Sequence, residues 1–244
     1  MIQFSDIPVL FCDATLLVVN KPAGLRSLPD GYNQALPHVK SALEQEYGRL
    51  WIVHRLDKET SGVLLLARSS EAHRLLNTQF EQHLVFKVYH ALVIGDPQWD
   101  EKTIRLPLRS NGDHRHRTII DLDNGKPAIT HLKVLESLGH YCLVEAIPET
   151  GRTHQIRAHL SALGLSILGD KLYDGRINLQ EAKEELRSQA QNIPLIRLKE
   201  SMGLHAWSLE INHPISGERM KFTASYPAEL LAVLKQLRSP SSGG

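Results

Sequence analysis

Two short apolar runs enclose a nine-residue polar segment near the end of the first quarter of the chain. The runs cover residues 50–53 and 63–67. Both are too short and too rich in β-branched or aromatic residues for helices, so they predict two buried strands. The segment between them, HRLDKETSG, places Arg55 two residues before Asp57 and ends in small residues typical of a turn. A carboxylate at such a point is held by the sheet yet accessible from outside, although an isolated Arg–Asp pair is more often only a charged turn.

The rest of the chain alternates strands and helices in an order typical of an α+β domain. Strands are predicted at 15–20, 85–94, 129–136 and 141–147, and a hairpin at 207–211 and 219–223. A helix is predicted over 69–84, with Ser69 or Ser70 as its N-cap. Its apolar stripe is Ala72, Leu75, Leu76 and Phe80. Because strands follow strands through short turns, we expect a mixed, mainly antiparallel sheet flanked by helices.

A second helix is predicted to begin at Thr153 as its N-cap and to end at Gly164. Its apolar stripe is Ile156, Leu160 and Leu163, and its first turns carry the basic residues Arg152, His154, Arg157 and His159. Cations at a helix N-terminus oppose the macrodipole, so a helix selected for stability alone would carry acids there. The pattern favours an anion site, with a chance basic turn as the alternative.

Composition predicts a globular protein without a membrane anchor. The chain has 244 residues, of which 42% are hydrophobic and 23% charged, and no run approaches the ~18 apolar residues that span a bilayer. No signal peptide is recognised, and Cys12 and Cys142 lack metal-site spacing, so a reducing, cytoplasmic location is expected. We expect one domain over residues 1–238 and a disordered tail over 239–244.

The net charge of +1 is low for a protein that binds nucleic acid through charge alone, but the charge is segregated. Segment 102–118 carries five Lys or Arg residues against a single acid, Asp113. In a strand, Arg115 and Arg117 would share one face, and Asn111-Gly112 predicts a turn at the middle of the segment. We therefore expect this segment to form a basic surface that can contact anions. No phosphate-binding glycine motif and no metal-ligand spacing of histidines occur, which argues against a nucleotide cofactor or a metal.

Residues 54–62 match every specified position of H-R-L-D-x-x-T-S-G, the active-site motif of the RluA family of pseudouridine synthases, which the chain resembles. Residues 18–25 are similar to the first motif of that family, and Lys87-Val88-Tyr89-His90-Ala91 matches its K-x-Y-x-A strand. Residues 150–160 match its third motif and are followed by 167–170 and 204–206. The resemblance implies a pseudouridine synthase fold, with a bent sheet and a central active-site cleft.

The resemblance also implies an activity and its residues. The expected reaction isomerises uridine to pseudouridine in ribosomal or transfer RNA, with no cofactor and with the base extruded from its stack. Asp57 would be the catalytic carboxylate, Tyr89 would lie against the base, and Arg157 would pair with Asp57. Whether the carboxylate attacks the ring or the sugar, or acts through a glycal-like intermediate, stays open. RNA-binding roles are expected for Arg55, Leu204, Arg115, Arg117 and Arg152. By resemblance to a hairpin of the family, segment 102–118 is expected to be a mobile arm that closes over folded RNA.

Two features depart from the family pattern. The chain begins almost directly at the first motif, so we expect no small N-terminal RNA-binding domain and recognition by the catalytic domain itself. A monomer is also expected. Residues 174–203 form a longer insertion than in compact relatives, whose charged helical stretch is expected to cover a sheet edge rather than to bind RNA. Two alternatives stay open: an inactive RNA-binding module, and a hydrolase in which Glu59 supplies a second carboxylate.

Overall fold

The computed structural model describes residues 7–31, 33–173, 196, 198 and 201–239. The strands are β1 (Val9–Cys12), β2 (Leu16–Lys21), β3 (Trp51–Ile52), β4 (Ser61–Ala67), β5 (Phe86–Ile94), β6 (Glu101–Ile104), β7 (Leu108–Arg109), β8 (Ile119–Ile120), β9 (Thr130–Leu138), β10 (Tyr141–Pro148), β11 (Ser166–Ile167), β12 (Leu204–Asn212) and β13 (Arg219–Thr223). The helices are α1 (Val39–Tyr47), α2 (Ser70–Glu81), α3 (Gln155–Ala162) and α4 (Ala228–Arg238).

The chain divides into two compact units. The first contains residues 1–89 and 204–227, and the second contains residues 90–203 and 228–244. The expectation of one domain over residues 1–238 stays a prediction. The predicted tail lies, beyond Ser239, outside the described residues, and so does most of the 174–203 insertion. Among the described residues, no helix combines the length and apolar character that crossing a membrane requires.

In the first unit, β4 is the central strand, and all of its residues are buried. It pairs antiparallel with β2 and β3 and parallel with β12, and β13 pairs antiparallel with β12. Since side chains alternate along a strand, Val63 and Leu65 pack in the core that includes Leu76 of α2, while Leu64 packs with Leu43 of α1. Burial on both faces explains why the run over 63–67 is continuously apolar.

Helix α2 begins as predicted and ends earlier than predicted. The Ser69 hydroxyl accepts the N–H of Ala72 at 3.1 Å, which confirms Ser69 as the N-cap. The helix stops at Glu81 because the chain turns at His83, whose φ is 58°. Leu84 is therefore exposed instead of extending the apolar stripe.

The second unit is built on the antiparallel pair β9 and β10, which confirms the predicted strands on either side of Gly139. Strand β6 pairs with β9, and β11 pairs with the end of β5. Strands β7 and β8 form a separate two-stranded hairpin. Together with the four helices of the described residues, these mainly antiparallel strands confirm the α+β class.

Helix α3 corrects the predicted N-cap. The cap is His154 rather than Thr153, it lies in the left-handed region at φ 51°, and its side chain makes no capping hydrogen bond. Instead, the Gln155 side chain accepts the N–H of Arg152 at 3.0 Å and the Thr150 hydroxyl at 2.7 Å. The first residue inside the helix thus organises the turn before it.

Candidate active site

Asp57 lies in the turn that leads into β4, as predicted. Its carbonyl oxygen accepts the N–H of Thr60 at 3.2 Å, which closes a four-residue turn. Asp57 is half-buried between the buried Leu56 and the exposed Lys58. This position combines a fixed backbone with a carboxylate near the surface.

Residues at the end of the first motif and just after it hold both flanks of this turn. The Ser27 hydroxyl bonds the carbonyl of Leu56 at 3.0 Å and the N–H of Leu56 at 3.1 Å. On the other side, the carbonyl of Lys58 accepts the N–H of Gly24 at 2.8 Å. The residues before and after Asp57 are thus fixed by chain that lies about thirty positions earlier.

Lys21, the last residue of β2, is fully buried beside Asp57. Its Nζ donates to the carbonyls of Pro22 at 2.9 Å, Leu25 at 2.8 Å and Lys58 at 3.1 Å. Burial lowers its pKa to about 7, and the charges of Asp57 and Glu59 act in the opposite direction. Sequence reasoning placed Lys21 in the first motif but assigned it no role. The available signal was a lysine in a strand, separated only by Asn20 from the four apolar residues 16–19.

His54 has a structural role. Its Nε2 accepts the N–H of Leu65 at 3.0 Å, which ties the start of the motif to β4, and its ring stacks on Phe80 at 5.1 Å. Burial, with a smaller effect from the charge of Lys87, lowers the pKa of His54 to about 3. The imidazole is therefore neutral near pH 7, with its hydrogen on Nδ1.

Tyr89 is partly buried against the core cluster that contains Leu56 and Leu64. Burial raises the pKa of its phenol well above the usual range, and the nearby charge of Asp57 raises it further. The hydroxyl therefore stays protonated at neutral pH, where it can donate a hydrogen bond but cannot act as a base. Because Tyr89 and Asp57 interact electrostatically, two of the predicted site residues lie near one another.

The other predicted residues of the first unit differ in exposure. Arg55 is exposed, as RNA contact requires, whereas Leu204 is buried at the start of β12. Next to Leu204, His205 is fully buried and bonds the Ser61 hydroxyl through Nδ1 at 2.8 Å and the carbonyl of Ala224 through Nε2 at 3.1 Å. Sequence reasoning assigned no role to this link between the motif and β12.

In the second unit, Arg157 is buried in α3 and forms a two-pronged ion pair. Its Nε lies 2.7 Å from one oxygen of Asp170, and a terminal nitrogen lies 2.8 Å from the other. Its guanidinium also lies 4.9 Å from the ring centre of Tyr173. The pairing of Arg157 with Asp57 stays a prediction.

The expected anion site at the start of this helix is wrong in the form predicted. His159 lies in the last turn, where it is buried and bonds the Thr130 hydroxyl and the carbonyl of Leu106, both at 2.9 Å. Arg152 lies outside the helix and donates from Nε to the carbonyl of Pro127 at 3.1 Å. The four basic residues therefore do not share one helix end, because the cap lies one residue later than predicted and the short helix already ends at Ala162.

Arg115 and Arg117 do not lie in a strand, so the condition under which they would share one face is not met. Residues 110–118 form the loop of the β7–β8 hairpin, and the turn at Asn111 (φ 52°) is confirmed. One oxygen of Asp113 accepts the N–H groups of both arginines at 3.0 Å, and the other accepts Nε of Arg117 at 2.6 Å. Arg115 is exposed and donates to the carbonyl of Lys171 at 3.1 Å. Of the two arginines, Arg117 has its charge balanced within the loop.

No group of three or more His, Cys, Asp or Glu side chains suited to a metal ion occurs in the part of the chain that the structure describes. When protonated, Lys21 supplies a positive charge near Asp57, with its ammonium held by three backbone carbonyls.

Comparison with known proteins places these features in a family. Residues 15–162 match the family model of RNA pseudouridylate synthases. Ribosomal large subunit pseudouridine synthase D of Zymomonas mobilis is 36% identical over 243 residues, which cover 95% of this chain and 74% of that protein. The dual-specificity RNA pseudouridine synthase RluA of Haemophilus influenzae is 36% identical over 219 residues, covering 89% and 92%. The solved structure of human RNA pseudouridylate synthase domain containing 4 superposes with a TM-score of 0.72 at 27% identity, covering 95% of this chain and 93% of that one.

These matches extend over both the motif that carries Asp57 and the helix that carries Arg157. They confirm the resemblance and the fold that it implied. The chain belongs to the RNA pseudouridylate synthase family, whose members isomerise uridine in RNA to pseudouridine.

Proposed function

We propose that this protein isomerises specific uridines in structured ribosomal or transfer RNA, with Asp57 as the catalytic carboxylate. The observation that carries the proposal is the fixed turn around Asp57, held on one side by Ser27 and on the other by Gly24. A reacting group that is held before substrate arrives needs no ordering during the reaction. We further propose that the protein acts in the cytoplasm, as a monomer and without a nucleotide cofactor.

The relatives support the choice of RNA. One is named for the ribosomal large subunit, and another for dual specificity. Structured ribosomal and transfer RNA are therefore the first substrates to test, and the uridines that react have to be mapped.

The reaction moves the base without consuming a co-reactant. The N1–C1′ bond breaks, a C5–C1′ bond forms, and the hydrogen released from C5 is balanced by one gained at N1. The uridine has to leave its stack so that Asp57 can reach it. Tyr89 supplies a flat partner for the extruded base, and its protonated hydroxyl can donate to that base.

Basic residues complete the proposed site. Arg157 is proposed as the partner of Asp57, supported by its place in the third motif and by the rigid ion pair with Asp170. Arg55 is proposed to contact RNA because it is exposed two residues from Asp57. Leu204, Arg152, Arg115 and Arg117 stay proposed RNA-binding residues.

The experiment uses purified protein, unmodified large-subunit ribosomal RNA and unmodified transfer RNA, both transcribed in vitro. Pseudouridine is detected by carbodiimide labelling and primer extension, and free uracil is measured in the same samples. We expect pseudouridine at a small number of positions and no free uracil. Free uracil would indicate a hydrolase, and RNA binding without either product would indicate an inactive binding module.

A further inference from the structure

Tyr173 is a buried residue of the second unit whose hydroxyl holds the β7–β8 hairpin. The hydroxyl oxygen accepts the N–H of Thr118 at 2.6 Å and donates to the carbonyl of the same residue at 3.1 Å. Thr118 is the last residue of the 110–118 loop, directly before β8. One phenol thus satisfies both backbone groups at the point where the loop returns to the hairpin.

The same hydroxyl also meets the start of α3. Nδ1 of His154 lies 3.2 Å from the Tyr173 oxygen, and the two rings meet edge to face at 5.6 Å. Because the phenolic hydrogen is used toward Thr118, Nδ1 of His154 carries the hydrogen of this contact and donates it. His154 is the cap in the left-handed region, so Tyr173 contacts the helix where its backbone is strained.

The ring of Tyr173 has a third partner. The guanidinium of Arg157 lies over the ring at 4.9 Å and is held from the side by Asp170. One oxygen of Asp170 also accepts the N–H groups of Leu172 and Tyr173, both at 3.0 Å. Asp170 thus fixes the guanidinium and the backbone of the residue whose ring supports it.

We infer that Tyr173 is a positioning residue that fixes the RNA-contacting hairpin against the helix that carries Arg157. This inference rests on the proposed function, in which the hairpin contacts RNA and Arg157 serves the carboxylate. The hydroxyl and the ring do separate tasks. The hydroxyl sets the position of the hairpin through Thr118, and the ring supports the guanidinium of Arg157.

The separation can be tested with two substitutions. Tyr173→Phe keeps the ring and removes the hydroxyl, so the amide of Thr118 should exchange with solvent faster by about 10-fold or more. The KM for in vitro transcribed ribosomal or transfer RNA should rise about 2- to 10-fold, as expected for lost hydrogen bonds, while kcat stays within about twofold. Tyr173→Leu removes the ring as well, and it should lower kcat in addition to raising KM.

Tyr141→Phe is the matched control. It removes another buried phenolic hydroxyl of the same unit, one that accepts the N–H of Ile196 at 3.4 Å. It should leave Thr118 exchange and the KM for RNA unchanged. Urea unfolding establishes that each variant is folded. If Tyr173→Leu is not folded, the inference is tested by Tyr173→Phe alone, through the exchange of the Thr118 amide and the KM for RNA.

Two results would overturn the inference. One is a Tyr173→Phe variant whose Thr118 exchange and KM match those of Tyr141→Phe. The other is a folded Tyr173→Leu variant with the same kcat as Tyr173→Phe. The exchange measurement needs no RNA. A wild-type protein that forms no pseudouridine therefore counts against the proposed function, while exchange still decides whether Tyr173 holds the hairpin.

Discussion

The hydroxyl of Ser27 bonds both the N–H and the carbonyl of Leu56, the residue before Asp57. The two residues are 29 positions apart, Ser27 just after the first motif and Leu56 in the active-site motif. Because one hydroxyl bonds both backbone groups of Leu56, the backbone of Leu56 has little freedom to rotate. Residues 24–27 therefore act as a scaffold for the active-site motif and fix the backbone on both sides of Asp57.

Replacement of Asp57 by Asn should abolish turnover and leave RNA affinity nearly unchanged. The amide fits the same space but cannot act as a nucleophile or base, so we expect kcat to fall by about 10²–10⁴-fold or more. Single-turnover assays and filter binding measure the two quantities. Glu59→Gln is the control, because it removes a neighbouring charge that the family motif does not specify. Substantial activity of Asp57→Asn would exclude the proposed role.

Tyr89 should tolerate Phe better than Leu. If stacking on the extruded base is its main task, Tyr89→Phe keeps the ring face and should lose less than about 10-fold in kcat. Tyr89→Leu loses the face and should lose clearly more. Equally poor Phe and Leu variants would instead assign the task to the hydroxyl, and wild-type rates in both would assign Tyr89 to the core.

Lys21 should make stability depend on pH. Burial lowers its pKa from 10.5 to about 7 in the folded protein. Between these two pH values, Lys21 binds more protons in the unfolded chain than in the folded protein. The free energy of unfolding therefore rises with pH over this range. The slope reaches at most about 1.4 kcal/mol per pH unit.

Lys21→Met should remove this part of the slope between pH 7 and 10. It should also lower stability by about 1–3 kcal/mol, because buried carbonyls lose their donor. Urea unfolding at several pH values measures both effects, and Lys221→Met, at an exposed lysine, is the control. Parallel pH profiles for Lys21→Met and the wild type would contradict the assigned cause.

Gly62 should be irreplaceable in the motif. Its φ is 115°, and an added Cβ would lie 2.2 Å from the carbonyl oxygen of Ala206 on β12. Gly62→Ala should therefore destabilise the protein by about 3 kcal/mol or more, through strain and a displaced strand. Gly139→Ala is the matched control, because Gly139 also has positive φ but open space around it, and it should cost about 1–2 kcal/mol. If urea unfolding gave equal losses of stability for the two variants, the close approach of Gly62 to β12 would not be the cause.

The exposed Arg115 should contribute more to RNA binding than Arg117, whose charge Asp113 balances. Replacing both by Ala should weaken binding and flatten its salt dependence, since each lost phosphate contact removes about 0.7–0.9 from the log–log slope. Arg219→Ala with Lys221→Ala is the control, since it removes two cations that pair with Glu210. A slope that matches the control would place the RNA-binding surface elsewhere.

The sequence predicted those structural elements that depend on residues close together in the chain. The apolar run of β4 and the Ser69 cap of α2 were readable because neighbours in sequence determine them. The cap of α3 was not, because Thr153 is the better residue type for a cap, while the contacts of His154 come from Tyr173.

Other features of the site could not be predicted because they depend on contacts formed only in the fold. A charged residue is usually exposed, so burial of Lys21 could not be expected without Lys58, 37 residues away, as an acceptor. The sequence analysis counted Asp113 only as a single acid beside five cations. Its position in the turn allows its carboxylate to bond Arg115 and Arg117 and so to organise the loop. Composition gives the number of charges, whereas pairing depends on the turn that brings them together.

The bond between Ser61 and His205 joins residues 144 positions apart. Contacts of such long range form late, because the chain between them has to be ordered first. A nascent chain that has emerged only through β10 holds the complete catalytic motif but lacks β12, the strand that pairs parallel with β4. We therefore expect the end of the motif at Ser61 to gain its link to β12 only after residue 205 has been synthesised.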